Sequence, residues 1–288
     1  MKLSLGTVQF GVAYGVANQQ GRVSFETAEA IVREAERRGL RMLDTAIGYG
    51  DSEARLGQIG VDDWQIVTKL PACPETCVDV QAWVDRELRG ALRRLARERV
   101  HGVLLHRPAQ LLEAGGPALF AALASAKANG LVKKIGVSVY APAELDTLMS
   151  QFDLDIVQLP ANVFDDRFAK SGWLGRLAAR GVEVHSRSAF LQGLLLMTPS
   201  TRPAWTTRWS DLWREYDDWV SDVQLTRAQA CLRSALSVPG FDHVLVGVDS
   251  VDQLRELVAA ADGPAPPAFS SASAIDPDLL NPSRWPST

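Results

Sequence analysis

The sequence predicts an α/β protein with a single-domain (β/α)8 TIM barrel fold, because short apolar runs alternate with amphipathic segments at a regular interval. The 288 residues contain eight such runs, which gives about 36 residues per strand and helix unit. Several of these runs are continuously hydrophobic, as in Val103–Leu105, and this is typical of parallel strands buried on both faces. The predicted strands are Leu3–Val8, Arg41–Ala46, Trp64–Leu70, Val100–His106, Lys134–Val139, Ile156–Leu159, Val182–Ser188 and His243–Val248.

The segments between these runs carry helical periodicity. Phe25–Arg38 follows Ser24, a residue suited to an N-cap, and it ends before Gly39. A doubly wound sheet is the alternative architecture, but its usual Gly-x-Gly-x-x-Gly turn after the first strand is absent. The predicted helices are Phe25–Arg38, Val78–Arg97, Pro142–Phe152, Phe168–Ala179, Thr226–Leu236 and Val251–Ala261.

Two segments depart from the alternation. Residues 191–220 form a long connection in which Trp205, Trp209 and Trp213 recur every four residues, with Trp219 beyond them. We interpret these tryptophans as packing residues on one face of a short helix rather than as a ligand site. We place the barrel at residues 1–262, and we expect the Pro-, Ser- and Ala-rich tail, residues 263–288, to pack on the surface or to be partly disordered.

Composition and charge narrow the function classes. The chain has 30 basic and 34 acidic residues and a net charge of −4, so no basic excess indicates nucleic acid as a partner. No apolar run approaches the ~20 residues that span a bilayer, and the N-terminus lacks the pattern of a signal peptide. Three cysteines are too few for a disulfide framework, and Cys73 and Cys77 have no further Cys or His nearby to complete a metal site. We expect a cytoplasmic protein without a bound metal and without membrane or nucleic-acid partners, and nothing in the sequence indicates its oligomeric state.

Reactive side chains follow three neighbouring predicted strands. Asp44, Lys69 and His106 come at or directly after strand ends, and Tyr49 lies five residues beyond Asp44. Reactive groups of a (β/α)8 barrel gather at the C-terminal ends of its strands. Singly, an Asp–Lys pair is often a structural ion pair and a lone His a hydrogen-bonded core residue, but all four at one barrel mouth favour a catalytic site.

The chemistry of such a set is specific. A free tyrosine has a pKa of about 10 and is a poor acid near neutrality, whereas a lysine ammonium nearby lowers that pKa. Asp44 would keep Lys69 charged and in place. Tyr49 could then protonate an oxygen that becomes negative as a hydride reaches its carbon, and a neutral His106 could orient the carbonyl.

These residues stand in motifs that resemble the signature of the aldo-keto reductase superfamily. The matching motifs are Gly6-Thr7-x-x-Phe10-Gly11, Asp44-Thr45-Ala46 with Tyr49-Gly50, Ser52-Glu53, Leu56-Gly57 and Leu104-Leu105-His106-Arg107-Pro108. The resemblance runs from residue 3 to about residue 260. It implies a carbonyl reductase that uses NADP(H) or NAD(H) and a small-molecule carbonyl substrate, with Asp44, Tyr49, Lys69 and His106 as a catalytic tetrad and without a metal.

The resemblance also implies a set of coenzyme contacts, although two positions depart from the family pattern. Gly136-Val137-Ser138 matches the family's Gly-Val-Ser-Asn, but Val139 replaces the asparagine, so Ser138 and Gln158 would together hold the nicotinamide amide. Arg187 stands where an aromatic ring would stack on the nicotinamide, and a planar guanidinium can stack on a ring. The implied coenzyme-binding residues are Gly6, Thr7, Ser138, Gln158, Arg187, Ser188, Phe190, Gly193, Gly247 and Gln253.

The segment after the eighth strand bears on coenzyme choice. Family members that use NADP(H) usually carry basic residues there, whereas this chain has Asp249 and Asp252 and no Lys or Arg before Arg255. A carboxylate repels a 2′-phosphate but accepts hydrogen bonds from ribose hydroxyls, which favours NAD(H) or a relaxed preference. The alternative is that Asp249 caps the helix that begins near Val251.

Three functions follow as hypotheses. The first is reduction of an aldehyde or ketone, possibly sugar-like, and the second is a nicotinamide-binding sensor with little turnover. The third is a Schiff-base aldolase that uses Lys69, which would not need Tyr49 and Asp44 at these places. We expect residues 107–117, 162–170 and 191–220 to set specificity. Because no N-terminal hairpin precedes the first strand, we expect the tail to cover the bottom of the barrel.

Overall fold

Eight parallel strands close into a barrel in chain order, with β1 paired to β8. The computed structural model describes residues 2–18, 20–273 and 275–286. This topology confirms the predicted (β/α)8 fold and excludes the doubly wound sheet. The strands are β1 (Leu3–Gly6), β2 (Met42–Asp44), β3 (Gln65–Leu70), β4 (Val100–Leu105), β5 (Val132–Ser138), β6 (Ile156–Pro160), β7 (Glu183–Arg187) and β8 (His243–Val246).

All six predicted helices are present, one of them divided, and the structure adds further helices. Phe168–Ala179 is divided, because Gly172 adopts a φ of 77° and separates two helices. Ser52–Ile59 and Gly116–Ala128 were not predicted; the second is almost uniformly apolar or small, so it shows no amphipathic period. The helices are α1 (Val8–Gly11), α2 (Phe25–Arg37), α3 (Ser52–Ile59), α4 (Val80–Arg94), α5 (Gly116–Ala128), α6 (Pro142–Gln151), α7 (Arg167–Lys170), α8 (Trp173–Ala179), α9 (Ser210–Asp222), α10 (Arg227–Ser237), α11 (Val251–Ala260) and α12 (Pro277–Leu280).

The tryptophans of the long connection after β7 pack within the protein. Trp213 is buried against Phe164, and Trp205 packs against Trp285 of the tail with ring centroids 5.1 Å apart. Trp219 packs against Phe269, which also belongs to the tail. These contacts support the packing interpretation of the tryptophans.

The tail runs toward the mouth of the barrel. Asp276 accepts hydrogen bonds from Arg208 and Trp209, and Pro282 and Ser283 line the cavity at the C-terminal ends of the strands. The expectation that the tail covers the opposite end is therefore wrong for these residues. The aromatic side chains of the connection after β7 offer the tail an apolar surface at the mouth, and burial against them fixes its path.

A polar cluster lies at the end of the barrel where the strands begin. Glu183 bonds His101 at 2.9 Å, His185 at 2.7 Å and Lys134 at 2.6 Å. Burial raises the pKa of Glu183, but these three partners outweigh it and hold the pKa below its usual range. Glu183, His185 and His243 offer ligand atoms within 4.8 Å of one another. The Lys134 ammonium on the same carboxylate disfavours a cation, so we interpret the cluster as structural.

None of the helices in the described ranges is both long and apolar enough to cross a bilayer.

Candidate active site

A cavity of about 610 Å³ opens at the C-terminal ends of the strands. Its walls include Asp44, Tyr49 and His106 at one end and Asp249 and Gln253 at the other. The volume falls in the range of roughly 300–1,000 Å³ that small-molecule and cofactor sites occupy. The three predicted catalytic side chains that reach the wall therefore share one ligand-sized cavity.

Asp44 and Lys69 form a buried ion pair behind the wall. The Lys69 ammonium lies 2.6 Å from Asp44 Oδ1 and also donates to the Thr45 carbonyl at 2.9 Å. Both side chains are nearly inaccessible to solvent: Lys69 is 1% exposed and Asp44 is 7% exposed. Burial lowers the pKa of Lys69, but the Asp44 carboxylate and the Tyr49 phenol outweigh it and raise the pKa above its usual value. Lys69 is therefore a fixed cation at neutral pH, as predicted.

A hydrogen-bonded chain joins this ion pair to β5 and β6. The second Asp44 oxygen, Oδ2, accepts from Gln158 Nε2 at 2.7 Å, and Gln158 Oε1 accepts from Ser138 at 3.1 Å. Ser138 and Gln158 are buried and line the same cavity. Two residues predicted to bind the coenzyme are thus held in place through the Asp44 carboxylate.

Tyr49 lies next to the ammonium group, and its ring centroid is 5.0 Å from Lys69 Nζ. Burial raises the pKa of Tyr49, Lys69 lowers it, and the net pKa lies above its ordinary value. The expected depression of this pKa by Lys69 is therefore wrong for the net value, because removal of the phenol from water costs the phenolate more than the cation returns. Tyr49 carries its proton at neutral pH, which is the form a general acid needs.

His106 lies beside Tyr49 in the cavity wall. The two rings meet edge to face with centroids 6.0 Å apart. Burial and the positive charge of Lys69 lower the pKa of His106 to about 4. The imidazole is therefore neutral at physiological pH and can donate one hydrogen bond without adding charge.

The glycines of the motifs position Tyr49. A Cβ on Gly11 would lie 1.6 Å from the Tyr49 carbonyl oxygen, and one on Gly50 would lie 2.5 Å from the Gly11 oxygen. Gly50 also has a φ of 55°. The loop after β1 and the loop after β2 thus touch backbone to backbone, and no residue larger than glycine fits at either position.

Most of the predicted coenzyme-binding residues line the cavity, and Thr7 does not. The buried Thr7 hydroxyl donates to the Asp44 carbonyl at 2.9 Å and accepts from Ser52 at 2.9 Å, so it supports the β2 end instead. The cavity is lined by Gly6, Ser138, Gln158, Arg187, Ser188, Phe190, Gly193, Gly247 and Gln253.

The cavity has polar groups that a coenzyme would satisfy. Gln9 lines it, and the buried Gln9 Oε1 has no hydrogen-bond partner among the residues that the structure describes. A Cβ on Gly247 would lie 2.4 Å from the Gln9 amide, so the glycine keeps this wall open. Together with Ser138 and Gln158, these residues fit a planar ligand that carries an amide and hydroxyl groups.

The far end of the cavity carries negative charge that no Lys or Arg of the described residues neutralises. The N-cap of α11 is Ser250, whose hydroxyl accepts from Gln253 N at 3.2 Å, so the alternative that Asp249 caps this helix is wrong. Asp249 accepts one long hydrogen bond, from Asn18 at 3.3 Å. Arg255 pairs with Glu34 at 3.0 Å and with Asp252 at 3.1 Å, and it is not part of the cavity wall.

Loop use at the mouth differs from the prediction. Of the three expected loops, only the last contributes to the cavity, through Gln192, Gly193 and Leu196. The loop after β1 supplies Tyr14, Gly15 and Asn18, which sequence reasoning missed. Val16 N bonds the Gln192 carbonyl at 3.1 Å, so these two loops close one side of the mouth together. Sequence reasoning missed this loop because its residues show neither helical nor strand periodicity.

Comparison with known proteins gives one consistent result. A model of the Aldo/keto reductase family matches residues 2–269. A putative aldo-keto reductase from Pseudomonas aeruginosa is 22% identical with a TM-score of 0.67, over 90% of this chain and 89% of its own. The holo form of an aldo-keto reductase from Bacillus halodurans is 18% identical with a TM-score of 0.74, over 92% and 87%. These structural likenesses show the shared fold alone. A search of curated proteins finds no match.

Proposed function

The chain belongs to the aldo/keto reductase family, whose members are oxidoreductases, and on that premise we propose that it reduces an aldehyde or ketone to an alcohol with NADH or NADPH. The convergence of Asp44, Tyr49 and His106 on one cavity, with Lys69 directly behind them, carries the proposal. An acid, a neutral hydrogen-bond donor and a buried cation at one strand-end cavity are the groups that protonation of a carbonyl oxygen needs.

In this proposal a nicotinamide supplies the hydride, and the chain supplies the proton and the geometry. Tyr49 donates its phenolic proton to the carbonyl oxygen. Lys69 stabilises the phenolate that remains, and Asp44 keeps Lys69 charged and oriented. His106 hydrogen-bonds the carbonyl and fixes its direction, while Ser138 and Gln158 hold the nicotinamide amide. A displacement of Asp44 would disturb both the proton-donating side chains and the residues proposed to hold the nicotinamide amide, since Gln158 bonds Asp44 directly.

The observations at Asp249 support a preference for NAD(H) over NADP(H). Its carboxylate lines the cavity, does not cap α11, and has no cation paired with it among the described residues. A 2′-phosphate at this end would meet negative charge, whereas ribose hydroxyls would donate to the same oxygens. We expect a lower dissociation constant for NADH than for NADPH at equal ionic strength.

The coenzyme test uses one variant and one control. Asp249→Asn should tighten NADPH more than NADH, and Asp252→Asn, an exposed neighbour that does not line the cavity, should change neither. A tenfold preference of the wild-type protein for NADPH, worth ~1.4 kcal/mol, would overturn the charge argument.

The structure disfavours the aldolase alternative. A Schiff base needs a free amine that reaches the substrate. Lys69 is 1% exposed, does not line the cavity and donates to both Asp44 and Thr45. The sensor alternative keeps the same nicotinamide site and differs only in turnover. Absence of nucleic-acid partners and a cytoplasmic location stay predictions.

Reduction of a panel of aldehydes and ketones, followed by the loss of reduced coenzyme, tests the function. Tyr49→Phe should lower turnover by ~10²-fold or more and leave the coenzyme dissociation constant unchanged. Tyr14→Phe removes another phenol from the same cavity and should have a much smaller effect. Near-normal rates in Tyr49→Phe would sink the assignment of the acid, and tight coenzyme binding without turnover of any carbonyl would favour the sensor.

A further inference from the structure

Arg187 is the single Lys or Arg among the described residues that line the cavity. The other ionised side chains in the wall are carboxylates, namely Asp44, Asp249 and Glu256. Asp44 is neutralised by Lys69, whereas no acidic side chain within the described ranges pairs with Arg187. The cavity wall therefore carries a positive charge at Arg187 and, at its far end, a negative charge at Asp249.

The guanidinium of Arg187 lies at the catalytic end. Arg187 ends β7, but its side chain reaches across β6 to β5, where Nη2 donates to the Val139 carbonyl at 3.1 Å. The guanidinium carbon lies 4.2 Å from the ring centroid of Tyr140, just beyond β5. Strand β5 is next to β4, which leads into His106, and the side chain thus leans away from β8 and Asp249.

Electrostatics agree with this placement. The positive charge of Arg187 is one of the causes that lower the pKa of Tyr49 and of His106, so it acts on both catalytic groups. A charge that influences these two residues lies in the part of the cavity where the carbonyl substrate binds.

The surroundings order the guanidinium without neutralising it. Tyr140 supports its plane, and the hydrogen bonds go to a neutral carbonyl and, at 3.4 Å, to the Ser188 hydroxyl. A guanidinium has five N–H donors in a fixed fork that matches two anionic oxygens. Two used donors leave capacity for a bidentate partner. A half-buried cation without a counter-ion in the described ranges binds an anion more strongly than an exposed one does.

We propose that the carbonyl substrate carries an anionic group, a carboxylate or a phosphate, which Arg187 holds while the carbonyl meets Tyr49 and His106. This inference rests on the proposed reductase function and names its substrate class. The coenzyme diphosphate is the competing source of anionic oxygens. The lean of Arg187 toward β5, away from the α11 end of the cavity, favours the substrate.

Matched substrates test the inference. 4-Carboxybenzaldehyde and 4-formylphenyl phosphate are compared with 4-formylbenzamide, a neutral molecule of nearly the same shape as the carboxylate. We expect at least a tenfold higher kcat/KM for one of the anionic aldehydes, mainly through KM. Which of the two is favoured distinguishes carboxylate from phosphate.

Variants then assign the preference to Arg187. Arg187→Gln should abolish the ratio between anionic and neutral aldehydes, and Arg187→Lys should keep part of it, since the charge remains without the planar fork. Arg107→Gln is the matched control: Arg107 follows His106 directly, but it pairs with Glu113 at 2.7 Å and does not line the cavity. This control should leave the ratio unchanged.

Two results would overturn the inference. One is an equal kcat/KM for anionic and neutral aldehydes in the wild-type protein. The other is an Arg187→Gln variant that loses both substrates equally while its dissociation constant for reduced coenzyme rises, which would assign Arg187 to the coenzyme.

A binding measurement separates this failure from failure of the reductase function. Terephthalate and its neutral diamide are titrated calorimetrically into the protein with coenzyme present. Binding of terephthalate that is lost in Arg187→Gln, without turnover of any aldehyde, would support the anion site and reject the reductase. Turnover of aldehydes with no preferential binding of terephthalate would support the reductase and reject the anion site.

Discussion

Replacement of Lys69 by methionine isolates the buried ion pair that organises the site. The substitution keeps most of the length of the side chain and removes its charge. Asp44, with a side chain 7% exposed, then keeps Gln158 as a donor and loses its cation. Breaking a buried pair by removal of one partner costs about 3–5 kcal/mol. At roughly 2 cal/mol/K of unfolding entropy per residue over 288 residues, this lowers Tm by about 5–9 °C.

A second pair in the same protein provides a matched control. Lys127 lies 2.6 Å from Asp155, the same distance as in the Lys69 pair, but its side chain is 42% exposed. Lys127→Met should cost about 1 kcal/mol or less. The two substitutions are chemically identical, so the difference between their Tm values measures the effect of burial.

A double variant distinguishes lost attraction from stranded charge. Lys69→Met combined with Asp44→Asn leaves no ion in the buried site, and we expect it to recover part of the stability lost in Lys69→Met. Thermal unfolding followed by circular dichroism measures all four proteins. A Tm for Lys69→Met equal to that of Lys127→Met would refute the reasoning, because it would mean that the Asp44 carboxylate is solvated.

Two further predictions concern acid–base behaviour and backbone contact. The pKa of His106 is lowered to about 4 and that of Tyr49 is raised above its ordinary value, so neutral His106 and protonated Tyr49 both persist from pH 5 to 9. The value of kcat/KM for carbonyl reduction should therefore be flat over this range. An inflection between pH 6 and 8 that is lost in Tyr49→Phe or His106→Gln would contradict this prediction. Gly11→Ala places a methyl group against the Tyr49 carbonyl and should lower turnover by ~10²-fold, because it displaces the loop that carries Tyr49. Gly48→Ala, in the loop of Tyr49 but with open space around its Cβ, should be tolerated. Equal activity of the two variants would show that the contact at Gly11 relaxes freely.

The sequence predicted every strand boundary to within two residues because most of the strands are short apolar runs bounded by polar residues. The strand from 243 to 246 is an example: it was predicted to extend to Val248, but the chain leaves the barrel at Gly247 to pass the Gln9 side chain. The helix from 116 to 128 escaped prediction since its apolar and small residues have no polar face. Periodicity fails where an element is apolar all round.

The sequence by itself also predicted which reactive side chains would lie together. Asp44, Lys69 and His106 were predicted at strand ends, and a closed parallel barrel brings all its strand ends to one mouth. Chain order alone therefore placed these side chains at one site, because strand direction and strand order in this fold leave no other arrangement.

Only the tertiary structure decided the electrostatics and the contacts between distant loops. The pKa of Tyr49 rises because burial outweighs the nearby cation, and this burial exists only once the barrel and its loops are assembled. Gln158 bonds Asp44 from 114 positions away, and Arg187 leans onto Tyr140 rather than toward its own strand neighbour β8. Desolvation and side-chain direction are properties of the assembled cavity, since each depends on groups that the chain brings together only when the barrel closes.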